Sequence, residues 1–225
     1  MPVRDGSPGY TGDMRRQIDL SVYVITDQRL ARGRDLLEVI ASAIRGGATA
    51  VQLRDKEMPT RDQYSLGLRL RALTRRSGVA LICNDRVDLA IAIDADGVHL
   101  GQDDLPPRVA RDLLGPERII GVSTGNPTEF ELFRRSGVDY IGVGPFAPTG
   151  SKSDAGSAIG ENGIAVVRAL TELPLVAIGG IGLSNAASAI SAGATGIAVI
   201  SAIIGAHDPE AAARALRRAV DSARD

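Results

Sequence analysis

Tryptophan is absent, and aromatic residues make up only 3% of the chain. Base-stacking platforms need aromatic faces, so a single-stranded nucleic-acid groove is not expected. Charge of one sign is also missing: 26 Lys and Arg stand against 27 Asp and Glu, a formal net charge of −1. That balance excludes a broad nucleic-acid surface. A single cysteine, Cys83, rules out an internal disulfide and fits a reducing compartment. Inside an apolar run, Cys83 reads as a small core residue. There are two histidines, His99 and His207. No second His or Cys lies near His99, so it reads as packed or hydrogen-bonded rather than as a ligand, and His207 reads as a surface residue. No Gly-x-Ser-x-Gly, Walker or zinc spacing is present. No apolar run approaches the roughly 20 residues of a membrane span. Residues Met1 to Arg16 lack the apolar core of a secretory signal. We read residues 1–17 as a disordered leader and the cytoplasm as the default location.

What is present is a cadence. Hydrophobic residues are 44% of 225, enough for a sizeable core. From Ser21 onward a short β-branched run ends in a polar or glycine turn, and an amphipathic helical stretch follows. The runs are Ser21–Thr26, Ala50–Arg54, Val79–Asn84, Gly97–Gly101, Ile119–Ser123, Asp139–Gly144, Leu175–Gly180 and Gly196–Ser201. Helical patterns fall near Asp35–Arg45, Arg61–Ser77, Arg86–Ile93, Pro107–Leu114, Pro127–Ser136, Gly163–Leu170, Asn185–Ala192 and Pro209–Ala223. Strands alternating with helices imply parallel βαβ units. Eight such units in about 200 residues imply one α/β domain over 18–225, a (β/α)8 TIM barrel. Glycines at the helix exits, as in Ser77-Gly78-Val79, supply left-handed caps before the strands. The stretch from Pro145 to Glu161 is long for a connection inside a compact domain and reads as a lid on the catalytic face.

The barrel assignment gathers scattered polar residues onto one rim. Side chains on a strand alternate faces, so Gln52, Arg54 and Lys56 point one way and Val51 and Leu53 the other. Two cations and an amide on the inward face are costly unless an anion meets them. Asn84 and Asp85 end the third strand, Asp104 follows the fourth and Ser123 ends the fifth. Thr149, Ser151 and Lys152 lie in the long loop. Gly180 and Ile200-Ser201 end the last two strands, where barrels usually bind a phosphate; Gly179-Gly180 is otherwise a tight turn. Asp85 and Asp104 are either helix caps or ligands of one hard cation such as Mg²⁺.

The series Gln52-x-Arg54-x-Lys56, Asn84-Asp85, His99-Leu100-Gly101-Gln102-Asp103-Asp104, Gly121-Val122-Ser123, Gly144-Pro145-x-x-Pro148-Thr149-x-Ser151-Lys152 and Ile178-Gly179-Gly180-Ile181 resembles the thiamine-phosphate synthase family. The resemblance spans about Val22 to Ala206. It implies a transferase that joins 4-amino-2-methyl-5-hydroxymethylpyrimidine diphosphate to 4-methyl-5-hydroxyethylthiazole phosphate, or to its carboxylated form. The products are thiamine phosphate and pyrophosphate, with CO₂ as well when the thiazole is carboxylated, and the cofactor is Mg²⁺. It further implies that Gln52, Arg54, Lys56, Asn84, Ser123 and Lys152 hold the pyrimidine diphosphate. Of these, Arg54, Lys56, Ser123 and Lys152 serve the chemical step. Thr149, Ser151, Gly180, Ile200 and Ser201 would hold the thiazole phosphate, and Asp85 and Asp104 the metal. The partners expected are small molecules, with no nucleic acid and no membrane; a homodimer is compatible with the reading.

Two departures stand out. The usual Thr-x-Thr-Lys of the sixth loop is Thr149-Gly150-Ser151-Lys152, which keeps a hydroxyl. The usual Gly-Val-Ser-x-His is Gly121-Val122-Ser123-Thr124-Gly125. A thiazole tautomerase on the same barrel needs a histidine there, and Gly125 cannot move a proton. That reading and a non-catalytic phosphate-ligand-binding barrel are the alternatives.

Overall fold

The computed structural model describes residues 18–133, 136–150 and 156–225. The proposed leader, residues 1–17, lies outside them, as do Ser151 and Lys152.

Eight parallel strands close into a barrel in chain order. They are β1 (Val22–Ile25), β2 (Ala50–Leu53), β3 (Ala80–Asn84), β4 (Gly97–Leu100), β5 (Ile119–Thr124), β6 (Tyr140–Val143), β7 (Leu175–Ile178) and β8 (Gly196–Val199). Helices lie outside: α1 (Leu36–Arg45), α2 (Thr60–Ser77), α3 (Val87–Ala92), α4 (Pro107–Leu114), α5 (Pro127–Phe133), α6 (Gly160–Arg168), α7 (Ala186–Ser191), α8 (Ser201–Ile204) and α9 (Pro209–Ser222). The (β/α)8 expectation holds, and each expected strand and helix is found with its ends trimmed or moved by a few residues. Among the described residues the one addition is α8, a single turn directly behind β8. No helix among the described residues is long and apolar enough to cross a membrane.

Period-two alternation divides the core in two. Val22, Val24, Val51, Leu53, Leu81, Cys83, Val98, Leu100, Ile120 and Val122 face the helices and pack with their apolar stripes. The other register fills the barrel interior with Tyr23, Ile25, Ala50, Ile82, Ile119, Tyr140, Val176 and Ala198. Cys83 is fully buried, and burial pushes its thiol up to about 12. Residues that continue the inward register past this apolar plug, such as Gln52, are raised onto the mouth of the barrel.

The opposite end is tied for stability. Asp96 accepts from the Leu81 amide at 2.9 Å and pairs with Arg71 at 2.7 Å. Asp139 accepts from the Ile120 amide at 2.8 Å and pairs with Arg111 at 2.6 Å. Each aspartate thus joins its own strand to the preceding one. Helix starts are capped by Asp35 on α1 and Asp208 on α9, each accepting a first-turn amide. Gly78, at φ +67°, ends α2 in the expected left-handed cap.

Gly121 makes room inside the barrel: a Cβ there would lie 2.1 Å from the Tyr140 ring. Forced overpacking of this kind costs typically 1–3 kcal/mol. Gly121→Ala is therefore expected to cost about 2 kcal/mol of stability, read as a lower urea unfolding midpoint, and to displace the Tyr140 hydroxyl. An unchanged midpoint would show that the ring relaxes without cost.

Candidate active site

The mouth of the barrel opens into a cavity of about 590 Å³. Its lining contains Gln52, Arg54, Lys56, Asn84, Asp85, Asp104, Ser123, Thr149, Gly180, Ile200 and Ser201. Every expected site residue that falls among the described residues therefore meets in one cavity, and Gly125 lies beside them.

On the β2 side, Thr26 fixes the start of the loop after the strand. Its hydroxyl donates to the Arg54 carbonyl at 3.0 Å and accepts from the Arg54 amide at 2.9 Å. Asp55 accepts from the Glu57 and Met58 amides, and the Gln63 amide group donates to the Asp55 and Met58 carbonyls. Arg54 is thus held at its backbone. Its buried Nε has no hydrogen-bond partner among the described residues. A buried donor left unpaired costs free energy, and a bound anion would satisfy it.

Asp85 sits in a left-handed conformation, φ 62°. The Arg86 amide donates to the Asn84 carbonyl at 2.7 Å, closing a three-residue turn around it, while the Asp85 amide donates to the His99 carbonyl. Turns of this hand are rare and strained for a residue with a Cβ. The Asp85 carboxyl shares a hydrogen bond with Asp104. Burial, that hydrogen bond and the Asp104 charge push Asp85 up to about 6, against the pull of Lys56 and Arg54. Asp104 is fixed by the Gly101 amide at 2.6 Å. Neither aspartate caps a helix: α3 and α4 begin without a side-chain cap. Of the two readings open in the sequence, capping is thereby removed. Two facing carboxylates that repel each other suit a hard divalent cation, and no group of three or more His, Cys, Asp or Glu poised for a metal occurs among the described residues.

On the far side, the long connection is tied at both ends. The Phe146 and Ala147 amides donate to the Ile178 and Gly179 carbonyls, and the Ile159 and Gly160 amides return to Pro145 and Phe146. Gly179 and Gly180 have φ +87° and +65°, and a Cβ on Gly180 would lie 2.7 Å from the Ala147 carbonyl oxygen. Close packing of residues 145–147 thus requires these glycines, which also line the cavity. Asn185 shapes the turn by donating to the Gly180 carbonyl and accepting from the Gly182 amide. At the fifth strand, Gly125 donates its amide to Glu129, and Asn126 and Glu129 form a reciprocal cap at the start of α5. No proton-transferring side chain stands at position 125.

Sequence reasoning missed Tyr23 and Tyr140, which also line the cavity. Their inward register was readable, but not their meeting across the barrel. The Tyr23 and Tyr140 hydroxyls are 3.0 Å apart; the Gln52 amide donates to Tyr23 at 2.7 Å. Tyr140 meets His99 Nδ1 at 2.9 Å, and His99 Nε2 meets Ser123 at 2.8 Å. His99 is hydrogen-bonded, as expected.

A (β/α)8 barrel with a buried arginine Nε unpartnered among the described residues, a carboxylate pair and a glycine-lined cup around one cavity has the build of an enzyme for phosphorylated small molecules. The match to known proteins narrows this. The chain belongs to the thiamine monophosphate synthase family, whose profile matches residues 22–203. It is 54% identical over 211 residues to a thiamine-phosphate synthase of Xanthobacter autotrophicus, covering 94% of this chain and all of that protein. It is 53% identical over 203 residues to that of Moorella thermoacetica, covering 90% and 97%. The solved thiamine phosphate pyrophosphorylase from Pyrococcus furiosus superposes with a TM-score of 0.85 at 42% identity, over 92% of this chain and 98% of that one.

Proposed function

We propose that this chain condenses 4-amino-2-methyl-5-hydroxymethylpyrimidine diphosphate with 4-methyl-5-hydroxyethylthiazole phosphate, giving thiamine phosphate and pyrophosphate. Family membership over residues 22–203 carries the reaction class. The observation that supports the site is the buried Arg54 Nε, without a partner among the described residues, beside the Asp85–Asp104 pair. Asp85 and Asp104 would hold Mg²⁺, which would supply positive charge to the departing diphosphate.

The chain's own residues account for the rest. Arg54 and Lys56 bind the diphosphate and stabilise the charge that develops on it as the bond to the pyrimidine methylene breaks. Gln52, Asn84 and Ser123 orient the ring. The aminopyrimidine is electron-rich and can carry the cation left at the methylene carbon. The thiazole nitrogen attacks that carbon with its lone pair and loses no proton, so no general base is required. Thr149, Gly180, Ile200 and Ser201 hold the thiazole phosphate. Ser151 and Lys152 belong to the same reading by sequence, Ser151 on the thiazole phosphate and Lys152 on the diphosphate. Excluding water from the cavity protects the cation from capture. We further read the protein as cytoplasmic, with small molecules as its partners.

Purified protein given Mg²⁺ and both substrates is expected to form thiamine phosphate and pyrophosphate in equal amounts. Neither product should appear when either substrate or the metal is withheld. Failure to form product from the complete mixture would overturn the reading, and isomerisation of the thiazole alone would favour a tautomerase.

A further inference from the structure

The hydrogen-bond chain Gln52–Tyr23–Tyr140–His99–Ser123 crosses the barrel beneath the cavity. Its middle members are shut off from solvent: Tyr23 is 1% and Tyr140 0% exposed. Burial raises both phenols above their ordinary range, so both stay protonated. Each hydroxyl then has one proton to give, and the direction of every bond follows from the first. The Gln52 amide donates to Tyr23. Tyr23, having accepted, donates to Tyr140, and Tyr140 donates to His99 Nδ1. A neutral imidazole that accepts at Nδ1 carries its proton on Nε2. His99 therefore donates to Ser123, 2.8 Å away. The serine hydroxyl, already an acceptor, turns its own proton to the cavity. At the other end, Gln52 leaves its carbonyl oxygen as the acceptor. Reversing the amide would reverse every bond and exchange the roles of the two ends.

We infer that Tyr23, Tyr140 and His99 are positioning residues that lock Gln52 as acceptor and Ser123 as donor, so that the pocket selects a ring presenting an exocyclic amino group beside an unprotonated ring nitrogen. This deepens, and rests on, the proposed pyrimidine site. A 4-amino pyrimidine has that pattern. The 4-oxo analogue has the opposite one, a carbonyl beside a ring N–H, and meets donor with donor and acceptor with acceptor.

Two measurements test it. The first needs no substrate: ¹⁵N spectra of the two histidines, with His207 assigned through His207→Gln. The expected result is a single Nε2–H tautomer for His99 in the wild type and a mixture of tautomers in Tyr140→Phe and Tyr23→Phe. An Nδ1–H tautomer in the wild type, or a pure Nε2–H form in whichever variants fold, would overturn the relay. The second is the ratio of kcat/KM for the 4-amino and 4-oxo pyrimidine diphosphates. It should fall by about tenfold in Tyr23→Phe, with turnover of the 4-amino substrate reduced less than the ratio. An unchanged ratio in an active variant would overturn the selectivity role. A wild type inactive on both substrates would instead overturn the proposed reaction, and the tautomer spectra would still decide the relay.

Discussion

Asp85→Ala is expected to lower magnesium-dependent turnover by about a thousandfold or more, with the barrel still folded. The reason lies in the backbone as much as in the carboxyl. Asp85 is held at φ 62° in a tight turn that a helix cap would not need, and α3 starts without using its side chain. That strained turn brings Asp85 against Asp104 at a cost that the ordinary carboxylate range does not carry: its carboxyl is pushed up to about 6. A divalent cation held by these two carboxylates would reverse the sign of that cost. Asp85→Asn, which keeps the shape and removes the charge, should therefore leave the metal-free protein at least as stable as wild type while removing the stabilisation that added Mg²⁺ confers. Melting curves with and without Mg²⁺, beside steady-state rates, separate the two effects. Wild-type rates in Asp85→Ala at saturating Mg²⁺ would place the metal elsewhere.

The second large effect is at Arg54. Arg54→Met should reduce turnover by roughly 10²–10³-fold, the scale of losing one preorganised donor to developing charge. The same variant should gain stability in the absence of ligand, because the wild type buries an Nε with no partner among the described residues and methionine has nothing to satisfy. Opposite signs for activity and stability are the mark of a residue kept for a ligand rather than for the fold. Urea unfolding of the ligand-free proteins checks the stability half. A loss of both activity and stability would assign Arg54 to the scaffold.

Much of this was legible in the chain. The alternation of Val51 and Leu53 with Gln52 and Arg54 gave both the strand and the face on which an anion would be met, because period two is a local property. The glycine exits and apolar runs gave the barrel for the same reason. The short α8 was not legible, since Ser201–Ile204 continues the apolar pattern of β8 without a turn residue between them. The relay was not legible either. Tyr23 and Tyr140 are 117 positions apart, and their pairing exists only once the sheet closes and Gly121 leaves room for a ring. That Asp85 and Asp104 leave α3 and α4 uncapped also needed coordinates, because an aspartate before a helix reads identically whether or not it caps. The long loop was legible as an insertion, whereas its anchoring beside β7 through Phe146 and Ala147 was not.

The proposed pocket is divided in two: a diphosphate would lie beside Asp85, Asp104 and Arg54, and a monophosphate across the cavity beside Gly180 and Ser201. Mn²⁺ in place of Mg²⁺ makes the division measurable, because paramagnetic relaxation falls steeply with distance. With pyrophosphate and thiamine phosphate bound together, the ³¹P lines of pyrophosphate should broaden far more than that of thiamine phosphate, and Asp85→Asn should abolish the difference. Equal broadening of both ligands, or stronger broadening of thiamine phosphate, would contradict the account.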